Sequence, residues 1–285
     1  VNGTLKAYGT STNKIYFTSY KDDSVGGDTN SDGGATSASS ADWDTVQINS
    51  GASSTISHAI IRYGGYYPCC SYTGAQLFNS GGQLALSHTE VATGTTYGIV
   101  QESGGSSIFT DIDVHDNING LTISAGTMSV TSSKIHHNDN NGVYVTGGTL
   151  TIGTTAIYYH INSAGIYVAG GSTDVFASDI YNNAPYGIYA EGNYITITES
   201  ALHGNASYGV YNASINNIDA TDNWWGDFSG PYHAAFNPSG TGDPVSGDVE
   251  FTPWHHTNGY PGSSDFSSVL NDEIRWDFAT STTQF

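Results

Sequence analysis

The clearest chemical pattern in the chain is Asp28-Thr-Asn30-Ser-Asp32-Gly33. Hard oxygen donors alternate along it and a glycine permits a sharp bend, as in a loop that folds around calcium. The twelfth position of a helix-flanked calcium loop would carry a glutamate; Ser39 stands there, and no flanking helix is evident. Asp22, Asp23, Asp42 or Asp44 could complete the shell. The bland alternative is a solvated Asp/Asn/Gly turn. Calcium held by Asp28, Asn30 and Asp32 is the expectation.

Other reactive side chains are sparse. The two cysteines, Cys69 and Cys70, are adjacent and cannot staple the domain internally over any distance. They are expected to form an intermolecular bond or a vicinal ring, or to stay free. Their segment, Tyr66-Tyr67-Pro68-Cys69-Cys70-Ser71-Tyr72, reads as a projecting contact loop. Lys134 lies in a column with Asp113, Ala156 and Asp179, which reads as an inter-coil salt bridge rather than as a catalytic base. His115, His136, Tyr158, Tyr181 and His203 form an outward column in which only two histidines are adjacent, too few for a transition-metal site.

The elements that position these residues come from a repeat. Gly98, Gly120, Gly142, Gly165, Gly187 and Gly209 each open a similar apolar phrase, 22 or 23 residues apart. That period, without helix-forming composition, predicts an all-β right-handed parallel β-helix of about 22 residues per coil. The residue after each glycine (Ile99, Leu121, Val143, Ile166, Ile188, Val210) must point inward, and the next one outward. On four coils that next residue is Tyr144, Tyr167, Tyr189 and Tyr211, a stripe about 15 Å long expected to serve, with Tyr66 and Tyr67, as an interface. A second inward column runs Val91, Val114, Ile135, Ile157, Ile180, Leu202. Asn117, Asn138, His160, Asn183 and Asn205 follow as a turn ladder that His160 interrupts, and asparagine there would tolerate left-handed backbone. The β-helix is expected over 1–256, with inserted loops at 21–44 and 65–75, and 257–285 as a capping or inter-subunit tail. N-glycosylation sequons at Asn2, Asn205 and Asn212 are permissive only.

Composition narrows the setting. Only 11% of the 285 residues are charged, and 26 acidic against 6 basic residues give −20. Partners that need a basic patch, nucleic acid and anionic membrane, are therefore not expected. No apolar run reaches the length of a membrane-spanning helix, so no membrane insertion is expected. The opening residues read as a strand, so a processed N-terminus is expected; the first coil lacks a covering helix, which suggests that another chain supplies its cover, and the protein is expected to be secreted or at the cell surface.

The coil phrasing, with Ala59-Ile-Ile-Arg-Tyr-Gly-Gly65 near its start and Asn223-Trp-Trp-Gly-Asp-Phe-Ser-Gly-Pro231 near its end, resembles the β-helix repeats of prokaryotic surface and secreted proteins. These share the pectin-lyase-like superfold, which hosts polysaccharide enzymes, adhesins and surface-layer or sheath proteins. The composition resembles the last group most. The resemblance implies an extracellular structural protein that self-assembles into a sheath, surface layer or filament, with itself as partner; the alternative is a carbohydrate-binding or polysaccharide-processing protein. The Gly-His-Gly and Arg-Ile-Lys motifs of pectin hydrolases are absent, and no complete catalytic set is legible, so an enzyme is not expected.

Overall fold

A computed structural model describes residues 1–66, 74–191 and 194–257. It is a right-handed parallel β-helix, with no helix among the described residues and every pairing of its strands parallel. Three walls enclose one core. The first is a nine-stranded sheet from Val46–Asn49 to Val245–Ser246, which contains the glycine-opened strands. The second and third are walls of one larger sheet. Gln83–Ala92 and Ser106–His115 each run unbroken around the corner between them, while later coils divide there, as in Thr127–Thr131 and Lys134–His136.

Register follows from burial. A slip of one residue would turn the apolar column outward, so each coil is locked to the last. Leu121 pairs with Val143, Val143 with Ile166, Ile166 with Ile188 and Ile188 with Val210, all of them fully buried. Each such side chain contributes roughly 1.5–3 kcal/mol relative to exposure. The second column, Val91 to Leu202, is likewise fully buried.

The third wall, built of three-residue strands, is bounded by left-handed residues at both corners. Asp111, Ser132, Thr154, Ala177 and Glu199 (φ 47 to 52°) precede the strands, and Asp116, His137, Tyr159 and Asn182 (φ 50 to 59°) follow them. The left-handed conformation therefore sits one residue before each ladder asparagine rather than on it. Inside the second corner the amides form a continuous chain of hydrogen bonds. Asn117 donates to Asn138 at 3.1 Å, and the backbone N–H of Asn138 donates to His160 at 3.3 Å. The His160 N–H donates to Asn183 and Asn183 donates to Asn205 at 3.0 Å. His160 thus continues the ladder instead of breaking it. Gln76 begins the chain and Asp243 ends it, accepting from Gly204 N–H and from the backbone and side-chain amides of Asn205. The Asn205 sequon is consumed by this arrangement: its Nδ2 donates to the Ile180 carbonyl and to Asp243. A second ladder of Ser133, Thr155, Ser178, Ser200 and Asn223 lines the first corner.

Candidate functional site

The outer surface of the third wall collects most of the titratable chemistry. Alternation sends two columns outward from each short strand. One runs Glu90, Asp113, Lys134, Ala156, Asp179, Ala201, and the other His115, His136, Tyr158, Tyr181, His203. In the second column the rings stack face to face at the coil spacing. Successive centroids are 4.9, 4.9, 4.8 and 5.2 Å apart, with interplanar angles of 14° or less.

Three imidazoles pair with a carboxylate of the preceding coil. His136 Nε2 lies 2.8 Å from Asp113, His203 Nε2 2.9 Å from Asp179, and His115 Nε2 3.7 Å from Glu90. His115 Nδ1 also reaches Asp116 at 2.8 Å. The ion pair with Glu90, supported by Asp116 and Asp113, raises the His115 pKa to about 9 against the opposing effect of burial. The same pairing lowers Glu90. Burial pushes Asp113 up, but the His136 hydrogen bond and the charges of His136, His115 and Lys134 together bring it below the usual carboxylate value. Burial likewise works against His203, yet Asp179 leaves it raised. Near neutral pH the wall holds a protonated imidazole beside ionised carboxylates, which is the raw material of acid–base chemistry. Tyr181, pushed up to about 12 chiefly by burial, stays a neutral phenol.

A cleft of about 200 Å³ opens beside these pairs, lined by Lys14, His88, Glu90, Asp111, Asp113 and Lys134. His88 stacks on His58 at 4.4 Å and approaches Asp111 at 3.5 Å. Lys134 closes no ion pair with a described residue, so the expected inter-coil salt bridge is not formed. Its charge acts on Asp113 at longer range.

The expected calcium loop brings carboxylates together. Asp23, Asp28 and Asp32 bring oxygens within 4.8 Å of one another. Asn30 braces the same turn: its amide donates to Asp32 at 2.9 Å and to Thr36 at 3.0 Å. Asp22 and Asp42 are taken up by Arg62 and Lys21, both at 2.7 Å. One buried Asp23 oxygen has no hydrogen-bond partner. Burial, then the charges of Asp28, Asp32 and Asp22, raise the Asp23 pKa.

The tyrosine stripe forms on the first wall. Tyr144 meets Tyr167 edge-on at 5.3 Å, Tyr167 meets Tyr189 at 4.8 Å, and Tyr189 stacks on Tyr211 at 5.4 Å. Tyr186 and Tyr208 widen it. Tyr66 is exposed. Tyr67, Cys69 and Cys70 lie outside the described residues.

Glu90 and Asp243 were not singled out by the sequence, and Asp23 was named only as one of four acids that could complete the calcium shell. Glu90 was findable, since it occupies the same column as Asp113 and Asp179. Asp23 and Asp243 meet their partners only through loop paths that no period encodes.

No family model matches the sequence, and no curated protein matches it. Among solved structures, the chain is similar to the periplasmic alginate epimerase AlgG, crystallised as a point mutant, with a TM-score of 0.54 and 14% identity. That match covers 88% of this chain and 65% of the epimerase, so the chain spans just under two thirds of its length. Pectate lyase Pel9A aligns more loosely, with a TM-score of 0.35 and 12% identity over 90% of this chain and 68% of that one. The first likeness establishes the fold. It also corrects the expectation that the chain is not an enzyme, since an enzyme is built on the same architecture. That expectation relied on missing contiguous motifs. In a β-helix, acid and base groups come together from positions about 22 residues apart, as His136 and Asp113 do, and leave no contiguous motif.

Proposed function

We propose that this protein is a polysaccharide-processing β-helix working outside the cytoplasm, with the short-strand wall as its active surface. The reading rests on one observation: three carboxylate–imidazole pairs aligned along a stacked aromatic row, beside an open cleft. A glycan lying on that wall would meet protonated His115 as general acid and ionised Asp113 as general base. The similarity to a periplasmic polysaccharide enzyme supports this reading over a structural one. His115→Ala and Asp113→Asn are each expected to lower turnover 10²- to 10⁴-fold, as for loss of a positioned acid or base. Product formation from a polysaccharide panel measures this, with circular dichroism to verify folding. Undiminished turnover in both variants would refute the assignment.

Calcium at Asp23, Asp28 and Asp32 is part of the proposal. Three converging carboxylates, one with a buried oxygen lacking a hydrogen-bond partner, suit a hard divalent ion. Calcium is expected to raise the melting temperature of the intact chain, and Asp28→Asn/Asp32→Asn to abolish the rise. An equal rise in that variant would place calcium elsewhere.

A second reading, self-association through the tyrosine stripe, is favoured by its uncharged outward positions from Thr122 to Tyr211. It requires oligomers in sedimentation that Tyr167→Ser/Tyr189→Ser dissociates. A monomer at all concentrations rules it out.

A further inference from the structure

We infer that the glycan accepted by the short-strand wall is uncharged, and that chains of uronic acids are excluded; this rests on the polysaccharide-processing reading above. Negative charge dominates the wall and its bordering turns, in Glu90, Asp111, Asp113, Asp116, Asp179 and Glu199. Five Lys and Arg stand among the described residues. Lys21 and Arg62 are committed to Asp42 and Asp22 in the long loop. Lys6 points outward from the second wall, in register with Thr55.

Lys14 and Lys134 remain, and both border the cleft, where their charges already act on Glu90 and Asp113. Four imidazoles are matched with carboxylates: His115 with Glu90 and Asp116, His136 with Asp113, His203 with Asp179, His88 with Asp111. Among the described residues, two lysines confined to the cleft cannot receive a carboxylate from each sugar along the row. A uronate chain laid along the row would set a negative charge against this surface at every residue. Each close like-charge contact costs on the order of 1 kcal/mol even in water. Nor do the wall's acids offer a cradle through which a metal could bridge acid to acid. Among the described residues, three such ligand atoms converge only at Asp23, Asp28 and Asp32, in the loop.

Proton abstraction beside a sugar carboxylate needs that carboxylate neutralised, and the two cleft lysines, Lys14 and Lys134, already act on Glu90 and Asp113. An uncharged chain needs no such partner. The reaction it admits is hydrolysis. The anomeric C–O bond breaks, the leaving oxygen takes the proton of His115, and water gives a proton to Asp113 while its oxygen bonds to the anomeric carbon. Proton return from Asp113 to His115 through solvent restores both groups, for a net addition of one water.

The test is affinity electrophoresis of the full chain in gels containing soluble β-glucan, galactomannan or dextran, and in gels containing polygalacturonate or alginate, with and without calcium. Reducing ends and absorbance of unsaturated products are assayed in parallel. Retardation by a neutral glycan, with new reducing ends and little change on adding salt, is expected. In Glu90→Gln/Asp113→Asn, where Lys14 and Lys134 lose the carboxylates they act on and His115 keeps only Asp116, polygalacturonate should begin to retard the protein. Retardation of the unaltered chain by a polyuronate, or unsaturated product from one, would overturn the uncharged-substrate inference while leaving polysaccharide processing intact. Retardation by neither class would overturn both.

Discussion

Replacing His160 with asparagine is expected to leave the coil stack intact and to remove much of its acid lability. His160 is completely buried within the amide ladder. With its proton on Nε2, the ring donates to the Ile135 carbonyl at 3.2 Å and accepts the Asn138 N–H at 3.3 Å on Nδ1. Burial, outweighing the hydrogen bonds to carbonyls, lowers its pKa from 6.5 to about 4. The unfolded chain therefore takes up this proton before the folded one does. The stabilisation is complete above pH 6.5 and is lost as pH falls toward 4, a difference of about 3 kcal/mol. Asparagine has the shape this column already uses, since Asn183 reaches the Ile157 carbonyl at 3.1 Å from the equivalent place. Urea midpoints of both proteins at neutral and acid pH measure the effect. Parallel decline in the two would show that His160 does not set the acid limb. His115 and His203 have the opposite sign. Their raised pKa values contribute stability below pH 6.5 that is lost as pH rises, for His115 through about 9.

Gly142→Ala is expected to cost about 3 kcal/mol, the upper range for overpacking a well-filled interior. A methyl group there would lie 2.4 Å from His160 Nε2 and 2.6 Å from the Gly165 carbonyl oxygen. The histidine ring is held on both nitrogens, and the carbonyl belongs to a strand locked in register, so neither can retreat. Combining the change with His160→Asn should recover only part of the loss, because the carbonyl clash remains. Gly3→Ala, which meets nothing within 4 Å, is the control. Equal urea midpoints for the two single variants would mean that the coils can separate at Gly142 without penalty.

The parts of this molecule written in the sequence are those that repeat. The glycine interval, the inward Leu121-to-Val210 column and the outward tyrosines follow from a period and from strand alternation, both local properties. The amide ladder was legible as a column, but His160 looked like a break because its side chain differs. What matters inside the corner is a group that can both accept from one coil and donate to another, and imidazole does so as well as an amide. The left-handed corner was misplaced by one residue. Asn117 and its equivalents have the preference for it, yet residues as varied as Asp116, His137 and Tyr159 adopt it because the stacked strands on either side dictate the turn. At the candidate site the side chains were visible as two columns, but their partnership was not. Whether His136 meets Lys134 beside it or Asp113 one coil back is decided by side-chain lean, which spacing does not carry. The carboxylate cluster shows the same limit, since which of the nearby aspartates joins Asp28 and Asp32 is set by the path of an irregular loop.

The parallel pairing of every coil with only its immediate neighbours has a mechanical consequence. Tension applied at the two ends loads the hydrogen bonds between adjacent coils one interface at a time. No single interface bears the load for the whole molecule. The chain should yield as a spool does, releasing one coil of 22 or 23 residues per event, about 75 Å of extended chain. Asp243, which closes the last open amide of the ladder, is the first such clasp met from the C-terminal end.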